Sequence, residues 1–148
     1  MAAASDRVKR GKRFVLDCSV VLGWCFADEQ TPYSIAVLDS FDTREAVVPA
    51  LWIYEIANAF VSGERRKRSA TEDTAMWLQL LRQLPIVLDE MPAQRLWDDL
   101  VHLARLHNLS AYDAAYLELA TRLSLPLATL DGPLKRAAKA AGVTAFLP

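Results

Sequence analysis

Short apolar runs alternate along the chain with longer stretches of helical periodicity. Phe14 to Asp17 opens the series as a strand, apolar throughout before its acid rather than alternating, which suits burial on both faces. Thr31-Pro32 then starts a helix with proline in its first turn, and Tyr33, Ile35, Ala36, Leu38 and Phe41 supply its buried side. Ala46 to Val48 is a second strand closed by Pro49, followed from Leu51 to about Gly63 by a helix apolar almost all round, a pattern that predicts deep burial. Ser69-Ala70-Thr71-Glu72 matches a capping box and opens a helix through Met76, Trp77, Leu80, Leu81 and Leu84. Pro85 stops that helix, and Ile86 to Leu88 makes a third strand. From Pro92 to His107 the pattern is amphipathic, with Leu96, Trp97, Leu100, Leu103 and Ala104 inward and Asp98, Asp99 and Arg105 outward. A helix over Ser110 to Leu123, a strand over Pro126 to Thr129, a helix over Pro133 to Ala141 and a closing strand over Val143 to Phe146 complete the reading. Strands alternating with helices, without tight hairpins, predict an α/β fold: a three-layer sandwich with a mostly parallel central sheet flanked by helices.

Four acids break this apolar pattern. Asp17 closes the first strand, Glu55 follows Leu51-Trp52-Ile53-Tyr54, Asp113 lies among Ala and Tyr, and Asp131 follows Leu127-Ala128-Thr129-Leu130. Ligands of an open parallel sheet gather at the carboxyl ends of its strands, and all four acids belong near that edge. Buried acids are costly unless compensated, and a divalent cation compensates several at once. Oxygen ligands suit Mg²⁺, with Mn²⁺ as a substitute. Asp113, three residues after Ser110, is equally readable as the acidic partner of a helix cap, and Asp131, before Gly132-Pro133, as an N-cap. Glu55 has no basic residue at helical spacing within its apolar stretch and needs a counter-charge from elsewhere.

Size and charge narrow the classes further. At 148 residues the chain is long enough for one domain with a real core, residues 14–148, behind a flexible basic segment, residues 1–13. That segment lacks the apolar centre of a secretory signal, and no apolar stretch is long enough to cross a bilayer, so a cytoplasmic location is expected. Cys18 and Cys25 read as small buried hydrophobes; on one continuous helix they would be two turns apart and unable to bridge. A net charge of −1 excludes a globally basic nucleic-acid binder. Local charge differs: Arg65, Arg66, Lys67 and Arg68 form an unbroken run that reads as a candidate RNA-binding element, or as a solvated turn. Further basic residues crowd the N-terminus and follow Asp131 as Lys135, Arg136 and Lys139. His102 and His107 are poorly spaced for one metal, and the four tryptophans fit core or subunit-interface positions.

The strings Val-Leu-Asp17-Cys-Ser19-Val-Val, Glu55-Ile-Ala-Asn58-Ala, Leu109-Ser-Ala-Tyr-Asp113-Ala-Ala-Tyr and Leu-Ala-Thr129-Leu-Asp131 resemble, in order, the acidic motifs of PIN domains. They are similar in particular to the short VapC-like toxins of toxin–antitoxin pairs. The resemblance implies a metal-dependent endoribonuclease, with Asp17, Glu55, Asp113 and Asp131 as its acidic set and Ser19 and Thr129 as hydroxyls beside the first and last acids. Asp17 and Asp113 are the first choice as direct metal ligands, with Glu55 and Asp131 completing a second site or holding ligand waters; one metal and two remain equally compatible. Asn58, one turn after Glu55, braces that carboxylate, reaches substrate or is a buried amide. Hydrolysis by a metal-activated water leaves a 5′-phosphate and a 3′-hydroxyl.

The same resemblance implies an antitoxin that covers the acidic pocket and delivers an arginine to it. The apolar helices add an expected homodimer burying Trp52, Ile53, Ala57 and Phe60. Other Asp-based phosphoryl chemistries fit less well. A haloacid-dehalogenase phosphatase wants a second Asp two residues after the first, where this chain has Ser19, and a receiver domain wants a lysine just after a late strand. The alternative from another class is a non-catalytic PIN-like scaffold that binds RNA or protein.

Overall fold

A computed structural model describes residues 12–148; positions 1–11 of the segment expected to be flexible lie outside them. In chain order the elements are β1 (Arg13–Leu16), α1 (Cys18–Cys25), α2 (Pro32–Asp39), β2 (Glu45–Val48), α3 (Leu51–Arg65), α4 (Thr71–Gln83), β3 (Ile86–Leu88), α5 (Trp97–His107), α6 (Ala111–Leu123), β4 (Leu127–Ala128) and α7 (Gly132–Ala140), with three short 3₁₀ turns between them. The strands form one parallel sheet in the order β3-β2-β1-β4, flanked by the seven helices in a three-layer α/β arrangement. The chain therefore winds outward from β1 to β3 and returns to the opposite side of β1. Such a reversal opens a crevice at the carboxyl ends of the two strands that flank it, here β1 and β4.

The apolar runs become the interior. Phe14, Val15 and Leu16 are fully buried, as expected of a strand covered on both faces, and the Phe14 ring stacks on Phe146 at 4.0 Å between centroids. α6 contributes an uninterrupted buried stretch from Ala114 to Ala120, so small and apolar residues there let it lie close to the sheet. At the far edge β3 is half-covered and Leu88 is exposed.

Several local expectations hold and several shift. Thr31 caps α2 by accepting from Ser34 N at 3.0 Å, while Ser34 Oγ accepts from Thr31 N at 3.0 Å. The innermost residues of α2 are Ser34 and Val37, with Tyr33, Ile35, Ala36 and Leu38 only half-buried. α4 starts two residues after Ser69. Ser69 Oγ packs beside Gly63 instead of capping, and Asp73 accepts from Ala70 N at 2.8 Å. Gly63 is where α3 meets the Phe26 ring, which a Cβ would approach to 2.9 Å. α3 is also less enclosed than its composition predicts, since Trp52, Ile56, Phe60 and Gly63 are buried while Ile53, Tyr54 and Val61 are exposed.

Trp97, expected inside, is 71% exposed. A 3₁₀ turn over Ala93–Arg95 occupies the expected helix start, so α5 begins at Trp97 itself and Leu96 takes the more inward place. The final strand reduces to one bridge between Ala145 and Leu127, because β4 is only two residues long and offers no further ladder. An additional helix, α1, puts Cys18 and Cys25 at its two ends as free thiols. Burial pushes the Cys18 thiol up, with the Asp17 charge adding to it, and burial pushes Cys25 up to about 12. Both are therefore packing groups rather than thiolates.

Candidate metal centre

Asp17 stands at the end of β1, at the N-cap position of α1, and is 4% exposed. Its side chain does not cap that helix. Instead Oδ2 accepts two hydroxyls, from Ser19 at 2.6 Å and from Thr129 at 2.7 Å, and neither of them occupies Oδ1. Ser19 Oγ in turn accepts from Leu130 N at 2.9 Å, and Thr129 Oγ1 accepts from Asp131 N at 3.0 Å. The two hydroxyls thus lock the β1 and β4 ends together and fix the Asp17 carboxylate between them. Asp131 caps α7 by accepting from Leu134 N at 2.9 Å, so its cap reading and its place beside Asp17 hold together.

Asp113 lies in the first turn of α6, where Ser110 Oγ accepts from Asp113 N at 3.1 Å. The cap is made by the Asp113 backbone, and the Asp113 carboxylate lines the cleft beside Ser110, whose hydroxyl favours its charged form. Glu55, one turn into α3, accepts from the Tyr116 hydroxyl at 3.3 Å. Tyr116 is fully buried, and burial together with the Asp17 and Glu55 charges pushes its phenol up, so it stays a donor. Sequence reasoning passed over Tyr116; the available signal was its position one turn after Asp113 on the same helix.

The four acids sense one another. Burial raises the Asp17 carboxyl, opposed by the Ser19 and Thr129 hydroxyls and reinforced by Asp131. Burial raises Asp113, with the charges of Asp131 and Asp17 adding to it. Glu55 is pushed up to about 7 by burial first and then by Asp17, partly opposed by Tyr116. Among the described residues no Lys or Arg forms an ion pair with any of the four. Arg136 is the nearby cation on α7, its Nη1 lying 3.3 Å from where a Cβ on Gly132 would stand, without pairing with Asp131.

Glu55 and Asp113 face a cleft of about 550 Å³, lined also by Leu51, Tyr54, Asn58, Ser110 and Tyr112. Asn58 is exposed there, which removes the buried-amide reading. A larger cavity of about 850 Å³ lies past Thr129, between α7 and the C-terminal segment, but it is apolar and contains none of the four acids. The donor set consists of oxygens only and carries uncompensated charge, which fits a hard divalent ion in kind. Among the described residues, however, no three His, Cys, Asp or Glu side chains are gathered closely enough to hold an ion as they stand.

The basic run sits elsewhere. Glu55 and Arg65 are ten residues apart on α3, about 15 Å along the helix axis. Arg65, Arg66 and Lys67 are exposed. Arg68 is engaged: it donates to Asp28 at 3.0 Å and Glu29 at 3.3 Å and lies over the Phe26 ring at 4.3 Å. This removes Arg68 from the candidate RNA contacts. His102 is exposed and His107 half-buried, both away from the cleft lining.

The PIN-domain model matches residues 14–140. The chain belongs to the PIN-domain family. PIN domains are generally metal-dependent nucleases. Among solved structures, this PIN domain is similar to the crystal structure of PAE2754 from Pyrobaculum aerophilum, with a TM-score of 0.65 and 21% identity over 87% of each chain. It is also similar to the crystal structure of FitAcB from Neisseria gonorrhoeae, with a TM-score of 0.59 and 20% identity over 91% of this chain and 97% of that one. At these identities the likeness is one of fold. No curated protein matches the sequence. No helix among the described residues is long and apolar enough to cross a membrane.

Proposed function

We propose that this PIN domain is a Mg²⁺-dependent endoribonuclease, accepting Mn²⁺, and the toxin component of a type II toxin–antitoxin pair acting in the cytoplasm. The observation that supports the nuclease reading is that Asp17, Glu55, Asp113 and Asp131 lie near enough for their charges to act on one another, with no basic partner among the described residues. Asp17 and Asp113 would hold the ion, and Glu55 and Asp131 would complete a second position or hold its waters. Ser19 and Thr129 fix the Asp17 carboxylate by donating to one oxygen and sparing the other. When bound, the ion supplies positive charge against the scissile phosphate and lowers the pKa of a water. Asn58 is placed to brace Glu55 or meet substrate from the same wall of the cleft.

The toxin reading rests on the resemblance of the acidic strings to VapC-like proteins. It carries with it an antitoxin whose arginine would pair with these carboxylates in place of the metal. A homodimer is part of the same proposal, with a correction to its contacts. Trp52 and Phe60 are buried in the protomer's own core, so Ile53 and Ala57, exposed on α3, are what remains for a second copy. The spread of the carboxylates favours one alternative, a non-catalytic scaffold that binds RNA or protein.

The deciding experiment is RNA cleavage in Mg²⁺ by the wild-type chain and by Asp17→Asn. Cleavage is expected from the first and not the second, and a single 2′-deoxy substitution at the cut site should leave cleavage intact. A metal-independent product ending in a 2′,3′-cyclic phosphate would contradict the mechanism, and no cleavage at all would favour the scaffold. Suppression of cleavage by the product of the neighbouring upstream frame is expected of a toxin; activity that no genomic neighbour suppresses would remove that part of the proposal.

A further inference from the structure

Two large aromatic side chains stand in the open beside the acidic cleft, where packing does not require them. Tyr54 is 76% exposed and Tyr112 68% exposed, yet both line the cavity shared with Glu55 and Asp113. Each immediately precedes an acid, Tyr54 on α3 and Tyr112 on α6. Successive helical residues point about 100° apart, so a residue next to a cleft-facing acid is carried to the rim. The cleft is therefore bordered by one tyrosine from each of two helices. Among the described residues neither ring pairs with another aromatic, and neither hydroxyl makes a hydrogen bond.

The geometry points to Tyr54 and Tyr112 as stacking platforms for unpaired nucleobases on either side of the phosphate held at the acids. The inference rests on the nuclease reading and narrows its substrate to RNA whose bases are free to splay out. Every base has a π-face that an aromatic ring can cover, so two rims of this kind give affinity without demanding a sequence. In an A-form duplex those faces are already stacked on one another and out of reach. A contact between two copies of the chain is the competing use of exposed tyrosines. The apolar residues suited to that role, Ile53, Ala57 and Val61, form a stripe of α3 that Tyr54 borders, but none of them lines the cleft and Tyr54 does.

The test compares wild type, Tyr54→Ala, Tyr112→Ala and the two Tyr→Phe variants. Binding is read by fluorescence anisotropy in Ca²⁺ with a labelled unstructured RNA, the same RNA annealed to its complement, and the same RNA made abasic around the cut bond. Cleavage in Mg²⁺ and mass by light scattering are read in parallel. Each alanine variant should bind the intact single strand more weakly by between about 5-fold and about 150-fold. The phenylalanine variants should bind like wild type, duplex binding should hardly move, and the abasic strand should bind wild type poorly. Alanine variants that bind the single strand as tightly as wild type would overturn the inference. So would an equal loss on duplex, or a fall in mass with RNA affinity kept, which would make the tyrosines subunit contacts. Wild type that binds RNA but cleaves none in Mg²⁺ would sink the nuclease reading alone, and wild type that binds no RNA would sink both.

Discussion

Asp89 follows β3 much as Asp17 follows β1, but the two carboxylates are treated in opposite ways. Arg122 of α6 reaches both oxygens of Asp89 and also grips Glu118, one turn earlier on its own helix, at 2.7 Å. Two acids there share one guanidinium in a bidentate pairing, the arrangement that makes a buried carboxylate tolerable. Asp17, more deeply enclosed, receives two hydroxyls and the Cys18 backbone N–H but no cation among the described residues, and three more acids stand near it. The fold thus contains a device for neutralising acids at this edge of the sheet and uses it at Asp89 and not at Asp17. The difference separates an acid pair tied by Arg122 between α6 and the end of β3 from an acid set with no basic partner among the described residues.

Exchanging the roles of the two clusters should give the largest effects. Asp17→Asn should lower RNA cleavage by on the order of 10²-fold or more. It should leave the metal-free melting temperature unchanged or higher, because burial already disfavours the Asp17 charge. Arg122→Met should do the reverse. With the Arg122 side chain still 24% exposed, a loss of about 3 kcal/mol is expected, the low end for breaking a buried pair. Denaturant unfolding measures that loss, and cleavage per folded molecule should be retained. An Arg122 variant that is fully stable but inactive would break the distinction.

Acidity sharpens it next. Glu55 titrates near 7 in the folded chain against an ordinary 4.5, so between those values the folded state holds more protons than the unfolded one. Stability without metal should therefore fall as pH rises through that window and level off above it. Asp17 and Asp113 are shifted in the same direction and add to the fall. Melting curves across the window should show the decline in wild type and a shallower one in Glu55→Gln. A rise in stability over the same range would mean that the acids are already compensated.

How far the sequence reaches is decided element by element. Phe14 to Leu16, Ala46 to Val48 and Ile86 to Leu88 announce parallel strands because unbroken apolar runs answer to burial on two faces. Thr31-Pro32 announces α2 because its cap is local in sequence. Ser69 misleads because its hydroxyl is claimed by packing beside Gly63, a contact between residues that sequence spacing does not reveal. Trp97 misleads because one 3₁₀ turn moves the helix start. At the site, the acids are legible as interruptions of apolar runs. The bond from Tyr116 to Glu55 and the pairing of Arg122 with Asp89 are not, since each depends on side chains from separate elements meeting at the sheet's edge.

The smallest effect concerns the basic run at the far end of α3. Arg65→Ala with Arg66→Ala should weaken RNA binding and reduce the slope of log affinity against log salt by about 0.7–0.9 for each phosphate no longer bound. Arg68→Ala should leave that slope unchanged, because its guanidinium is committed to Asp28 and Glu29. Equal slopes for wild type and both variants would return the run to a solvated turn.

Calorimetric titration of Mn²⁺ and Mg²⁺ into the wild-type chain at neutral pH, repeated in buffers of different ionisation enthalpy, tests the central claim most directly. Binding of a divalent ion among the four acids should release protons, because Glu55, pushed up to about 7, is part-protonated at neutral pH and must ionise to accept it. Asp17→Asn should weaken that binding. Absence of binding at millimolar metal, or binding that releases no proton and is indifferent to Asp17→Asn, would contradict the assignment of these four residues to one metal centre.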